Sequence, residues 1–423
     1  VDTLAPVTVD RAALASRYRA NRRRTAELFG YIAPDAYEDA PIPLRHPFVF
    51  YDGHIPAFAF ITLVRDALGR PSIDPDLERL FNRGIDPRDA AVAAQHKRSA
   101  WPERGAVQRF GAASDAAVLD AFATARLDDP ANPRLVHAEA AYNVLEHEEM
   151  HHETLTYIIN RLARDKQRGP RQEHRDVAPA RREPVAIPAG SATLGARRGA
   201  LPFGWDNEFD EHVVDVAAFG IDAYDVTNGD YLAFVRDGGP VPAFWFQRDG
   251  MWMLLGAFED VPLPLSWPVY CTQQQAAAFA RWSGARLPTE PEYHRAAYGT
   301  PSGAERAQPW GDAAPDPARH GNFGWRRFDP EPVGSSPDGA SAWGAHDLTG
   351  NGWEWTATPF APFGGFHAMA TYPQYSADFF DGMHYVMKGA SPVTATTLLR
   401  RSFRNWFYCD YRYAYATFRR AHD

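Results

Sequence analysis

The sequence predicts a multidomain molecule, a four-helix bundle followed by an irregular α+β domain rich in loops. Three observations carry this. Apolar residues recur at helical spacing up to about Asp165; a stretch dense in charge and proline follows Lys166; and beyond it glycine, proline and tryptophan become frequent while short β-type runs replace long helical ones. At 423 residues the chain is also long for a single core. Residues 1–168 are therefore assigned to the bundle, 169–184 to a linker and 185–423 to the α+β domain.

In the first expected helix, 10–30, Leu14, Tyr18, Thr25 and Leu28 form the apolar stripe, with Asp10 as N-cap and Gly30 as stop. Its basic run, Arg22-Arg23-Arg24, reads as a solvated face, because the whole chain carries a formal charge of −9. A second helix follows Pro47, carries His54, Phe58, Ile61 and Val64, and stops at Gly69. A shorter one is expected over 115–127 and a long one over about 133–165. In the long one Val144, His147, His151, Leu155, Ile158 and Leu162 fall on one stripe, which turns both histidines inward. Such helices around an inward polar cluster make a bundle with a site in its core. After the linker, 213–216 reads as a strand, and one helix stands out at 272–283, with Ala276, Phe279 and Trp282 on its apolar face. Val226-Thr227-Asn228 and Arg286-Leu287-Pro288-Thr289-Glu290 read as strand-to-helix junctions, with Glu290 bonding nearby backbone or Arg286.

The net negative charge argues against an electrostatic grip on nucleic acid, and no apolar run is long enough to span a bilayer. Cys271 and Cys409 are the only cysteines, so a disulfide framework is not what holds the fold. The first residues lack the apolar core of a secretory signal, and a cytoplasmic location is expected.

The chemistry concentrates in His147-Glu148-Glu149-Met150-His151-His152-Glu153. Two histidines four apart on a helix point the same way and form a metal claw. The third ligand is assigned to His54, on the apolar face of a neighbouring helix. His137 and His152 fall off the stripe and read as surface or supporting residues. Glu153 lies about 200° round the helix from His151, at ~100° per residue, and reads as orienting an imidazole rather than as a ligand. Three neutral imidazoles leave an octahedral ion such as Fe(II) three open positions, enough for two substrates and O2. Zinc on the same ligands would favour hydrolysis with Glu148 as base, the HExxH alternative. The HxxGxxH extension of that pattern is absent.

His147-x-x-x-His151-x-Glu153 with upstream His54 resembles the DinB-like domain of the ergothioneine-type sulfoxide synthases, non-heme iron enzymes that join a thiol to the imidazole of hercynine. The second half agrees: Asp206-Asn207-Glu208, Val226-Thr227-Asn228, the 286–290 motif, Gly350-Asn351-Gly352-Trp353-Glu354-Trp355 and Arg404-Asn405-Trp406 resemble the formylglycine-generating-enzyme fold, a C-type-lectin-like α+β domain. The resemblance implies Fe(II), hercynine, O2 and a sulfur or selenium donor. It implies that Asn405 contacts the methylated amine of hercynine and that Trp406 lines the pocket, with Arg404 and Phe407 beside them. Met150 stands where several members carry Gln, and Phe407 where actinobacterial members carry an acid that holds γ-glutamylcysteine. Both departures lean towards the selenoneine synthase branch, which takes a neutral selenosugar. Tyr372, Tyr375 and Tyr408 are the candidates for the tyrosine that supplies a proton. Asn351 and Glu354 are candidates for a structural calcium, since related folds use such loops for it. With Cys409 lacking a cysteine partner nearby, formylglycine generation is not expected. A metal-free, lectin-like binding module is the remaining alternative.

Overall fold

The helix α1 (Arg11–Gly30) begins where the Asp10 carboxylate accepts the Ala13 N–H at 2.9 Å, and it buries the expected stripe of Leu14, Tyr18, Thr25 and Leu28. This description rests on a computed structural model that covers residues 9–84, 100–178 and 183–423. The chain forms two units, 1–170 and 171–423.

In the first unit, α2 (Phe48–Ala59) is apolar on nearly every side and lies in the core, as a helix with no polar face must. Pro56 removes one of its hydrogen bonds, and the helix continues as a wider π-helical stretch, Phe60–Ala67, before Gly69 ends it at φ +66°. The short helix α3 (Pro75–Phe81) was not anticipated, although Asp74 followed by Pro75 is a start signal: the Asp74 carboxylate accepts the N–H groups of Asp76 and Leu77, each at 3.1 Å. The next helix, α4 (Arg104–Thr124), starts well before the expected residue 115 because Val107, Phe110 and Gly111 already pack inward. Conversely α5 (Glu139–Asn160) is shorter than expected, since His137 and Ala138 adopt left-handed backbone at φ 55° and 58° and break the helix at its entrance. Helix α1 packs on α4 and α5, and α2 packs on α3, α4 and α5. Arg11 closes the end of α4 by donating to the Phe122 and Ala125 carbonyls at 2.8 and 2.6 Å. Arg22 departs from the solvated reading. It turns inward to Glu148 at 2.8 Å and Asp115 at 3.2 Å.

Among its described residues the second unit holds four small sheets. Strands β1 (Val185–Ile187), β4 (Phe219–Ile221) and β12 (Ala421–His422) pair antiparallel, as do β2 (Gly190–Leu194) and β3 (His212–Val216). A meander joins β5 (Trp245–Arg248), β6 (Met251–Leu255) and β7 (Asp260–Pro262). The largest sheet runs β10-β9-β8-β11, from β8 (Gly352–Pro359), β9 (His384–Ala390), β10 (Asn405–Tyr408) and β11 (Ala416–Thr417), with β11 parallel to β8. Helix α7 (Gln273–Trp282) matches expectation except that Trp282 is 43% exposed and donates to Asp237. Two further helices, α6 (Asn228–Arg236) and α8 (Glu290–Tyr298), begin at the expected junctions. All three carry the same start: a threonine, Thr227, Thr272 or Thr289, accepts the N–H of Asp230, Gln275 or Glu292, whose side chain returns the bond.

Two assignments are corrected here. Glu290 does not bond Arg286, which pairs instead with Glu292 and Asp423; Glu290 pairs with Arg404. Glu354 and Asn351 do not form a calcium cradle. Both Glu354 oxygens accept from the fully buried Arg419, and the Asn351 carboxamide bonds Asn322 and the backbone of Glu331. Part of the expected linker, 172–177, is strapped onto the second unit: Gln172 accepts from Phe328 N–H, Arg175 from Trp267, Asp176 from Ser266, and His174 sits 3.2 Å from Asp329. Residues 179–182 of that linker lie outside the described residues.

Candidate metal centre

His54 on α2 and His147 and His151 on α5 come together through the packing of those two helices. The i, i+4 spacing on α5 aligns two rings on its inward face, and α2 crosses there with His54. The Nε2 of His151 lies 3.1 Å from that of His147 and 3.2 Å from that of His54, and all three nitrogens fall within 4.8 Å of one another. Among the described residues this is the one cluster of three or more metal-type donors.

Each ring is held by its surroundings. His54 lies 2.6 Å by its Nδ1 from the Phe81 carbonyl and against the Phe50 ring at 4.9 Å. His147 stacks face to face on Phe58, centroids 3.5 Å apart, and His151 meets Tyr51 at 5.8 Å. Burial pushes the His54 imidazole down to about 4, against the smaller upward pull of the Phe81 carbonyl. Burial, with the neighbouring histidines, holds His147 well below its ordinary value, and burial, with His54 and Arg45, does the same for His151. All three are neutral at neutral pH and keep a lone pair to offer.

These residues fit a metal ion. A carbonyl at Nδ1 fixes His54 as the Nδ1–H tautomer, so its Nε2 is a bare lone pair directed at other imidazole nitrogens, an arrangement that a cation resolves. Nε2 donors 3.1 and 3.2 Å apart are close enough to share one ion.

The residues around the claw divide the heptad's labour. Glu148 points away from the imidazoles and is buried with Arg22 at 2.8 Å and Thr25 at 2.6 Å. Burial alone would raise its carboxyl, but Arg22, His152 and Thr25 outweigh that and hold it below its ordinary value. His152 is a supporting residue rather than a surface one: it is 1% exposed, with its Nε2 2.9 Å from the Thr25 hydroxyl. Met150 is half-buried, and Glu149 forms a two-pronged pair with Arg17.

The other expected site residues lie in the second unit, on and around β10. Alternation along a strand puts Asn405 and Phe407 on one face and Trp406 and Tyr408 on the other. Trp406 stacks on Phe360 at 4.1 Å and meets Tyr375 edge-on at 5.0 Å. Tyr375 in turn stacks on Trp205 at 3.9 Å, with Tyr372 at 5.7 Å. The next residue, Ser376, donates to Asp206 and accepts from Asn207, which ties this tyrosine segment to 206–207. Phe407 stacks on Tyr411 at 4.5 Å, while Tyr408 is 40% exposed beside His384. Arg404 has little left for a ligand: it is 2% exposed, bonded to both Glu290 oxygens and to the Asn207 and Ala361 carbonyls. It anchors β10, together with Arg400 and Ser402 on Glu208, and Lys388 on the Arg401 and Phe403 carbonyls. Burial pushes the Lys388 ammonium down to about 8. From the sequence, Glu208 is named within its motif but given no role, Arg22 reads as solvated, and Lys388 and Phe81 are not singled out. A buried Asp-Asn-Glu motif was the signal for the first; a main-chain carbonyl leaves none.

The sulfatase-modifying factor enzyme 1-like domain matches residues 171–423. The chain is 35% identical to the hercynine oxygenase of Mycolicibacterium thermoresistibile over 98% of its own length and 95% of that protein, and 32% identical to that of Mycolicibacterium smegmatis over 94% and 96%. It is also 27% identical to ergothioneine biosynthesis protein 1 of Neurospora crassa, over 91% of this chain and 55% of that protein. A helical unit with a buried three-histidine cluster, followed by this α+β domain, in a chain so similar from end to end, belongs to the hercynine oxygenase family of ergothioneine-type sulfoxide synthases.

Proposed function

We propose that this chain is an iron(II)-dependent, O2-using enzyme that joins a sulfur or selenium donor to the imidazole C2 of hercynine. The observation that carries the reading is the meeting of three buried, neutral imidazole nitrogens within 4.8 Å, in a chain similar throughout to hercynine oxygenases. His54, His147 and His151 would hold the metal, and a bound iron(II) would supply open positions for the substrates and O2, with the electrons for O2 coming from the imidazole C2–H and the donor's S–H or Se–H as they are joined. The helical unit is read as a DinB-like bundle, a reading supported by the packing of α1, α2, α4 and α5 on one another.

The remaining work falls to the chain's own side chains. Phe50, Tyr51 and Phe58, all buried, keep water from the imidazoles and fix their planes. Asn405 orients the methylated amine of hercynine, and Trp406, on the opposite face of β10, holds that strand in place through its stack on Phe360. Tyr375 is walled in between Trp205 and Trp406, and Tyr408 leans outward on His384. We therefore assign the proton to the Oη of Tyr372, whose segment Ser376 and Asp206 hold in place. Phe407, stacked on Tyr411, and Met150 give no charge to clamp the amino-acid groups of a thiol peptide, which favours a neutral selenosugar as donor.

The test is O2 consumption and product mass with Fe(II), hercynine and, in turn, a selenosugar, γ-glutamylcysteine or cysteine. An adduct at C2 is expected, fastest with the selenosugar, and Tyr372→Phe slows it while Glu148→Gln leaves the metal bound. No adduct with any donor sinks the proposal; an adduct only with γ-glutamylcysteine sinks the donor assignment.

A further inference from the structure

His54 is held from behind by the end of a helix. Its Nδ1 lies 2.6 Å from the main-chain oxygen of Phe81, the last residue of α3. The final carbonyls of a helix have no partner within it and carry the negative end of its dipole, so this oxygen is a ready acceptor. An imidazole that donates Nδ1–H to such a group presents Nε2 as a fixed and more basic lone pair.

The approach of α3 depends on Gly53, the neighbour of His54 within α2. A Cβ at position 53 would lie 2.3–2.4 Å from three atoms of the Phe81 ring. That ring is wholly buried, with the Phe50 and Phe110 rings at 6.3 and 6.1 Å, so it has no open solvent to swing into. Glycine in a helix interior costs roughly 0.5–1 kcal/mol relative to alanine, and Gly53 has no left-handed φ to require it, so the close approach is what explains it. The middle of α3 is tied to the continuation of the same helix. The buried Glu78 accepts from Arg65, in the π-helical stretch after α2, at 2.8 Å, and from Ser72 and the Ile73 N–H.

We propose that Gly53 and Phe81 act as a positioning pair, which through the Phe81 main-chain oxygen sets the tautomer and direction of His54 and so the metal affinity of the three-histidine centre. The proposal rests on the metal reading above. Neither residue touches the metal.

A main-chain oxygen cannot be deleted, but its approach can be blocked and restored. Cobalt(II) titration of the metal-stripped full chain, read by its visible absorption and by equilibrium affinity, compares four proteins. Gly53→Ala should bind cobalt about 10- to 100-fold more weakly, the usual consequence of disturbing a ligand's outer partner. Phe81→Leu, which keeps the carbonyl, should change affinity less than about threefold. The double variant, in which the shorter side chain makes room for the new methyl group, should return close to Phe81→Leu, a rescue that a general loss of stability would not give. Equal affinity and spectrum in folded Gly53→Ala, or a double variant no tighter than Gly53→Ala, overturns the proposal. Independently of any variant's folding, long-range 1H–15N spectra of the metal-free wild type, with His54 assigned from His54→Gln, should show the Nδ1–H tautomer; the Nε2–H tautomer overturns it. Wild type that binds neither cobalt nor iron defeats the metal reading instead, while the tautomer still reports on the Phe81 contact.

Discussion

At the scale of single residues, burial decides most of the chemistry here, because it pushes imidazoles towards neutrality and carboxyls towards protonation. His54, His147 and His151 gain lone pairs in this way. The same force acts on Asp347, whose carboxyl burial pushes up to about 6, against the Gly334 N–H that it accepts at 2.6 Å. A folded value above the unfolded one means that the group's contribution to stability is complete below about pH 4 and is lost as pH rises through about 6. Asp347→Asn keeps an acceptor for Gly334 and tolerates the left-handed backbone at φ 55°. Urea unfolding should therefore show this variant about 1–3 kcal/mol more stable than wild type at pH 8, with the difference gone by pH 4. A difference independent of pH contradicts the assignment. The histidine pair on α5 was legible in the sequence because i, i+4 spacing maps directly to geometry. The inward turn of Arg22 was not, since its partners Glu148 and Asp115 lie 126 and 93 residues away.

At the scale of elements, local signals named what local physics controls. Asp10 and Gly30 bound α1 as read, and the threonine caps at 227, 272 and 289 each open a helix. Boundaries failed where backbone conformation intervened without a sequence marker, as at His137 and Ala138, or where small residues blurred the periodicity, as at the start of α4. The strap 172–177 looked like a free linker because charge and proline usually mean solvent; here His174 and Asp176 find side-chain partners and the Arg175 carbonyl accepts from Trp267. His174 stands 3.2 Å from Asp329 and 3.7 Å from Glu259, with Arg327 the opposing charge nearby. The Asp329 bond, only partly offset by burial, raises its imidazole above the ordinary value. By the same sign rule, the contact stabilises fully below about pH 6.5 and weakens as pH rises through the folded value. Trypsin should cut at Arg175 several-fold faster in His174→Ala than in wild type at pH 6, and the ratio should approach one at pH 9. A ratio of one at both pH values removes the latch.

At the scale of the whole molecule, the family follows from end-to-end similarity, and the chemistry proposed for it rests on one buried cluster. No described helix is long and apolar enough to cross a membrane. The division into helical and α+β halves was legible because the two kinds of core need different residue patterns, whereas the donor is not written in any periodicity. It depends on which charges would face it, and no pattern of apolar residues records that. The central claim is that His54, His147 and His151 form an iron site. Its most direct test is the metal content of full-length protein purified without added metal, beside His147→Ala and His54→Ala. About one iron per wild-type chain is expected, and little in either variant, with both variants still folded. Stoichiometric zinc, or no metal in a wild-type protein that also fails to take up iron(II), contradicts it.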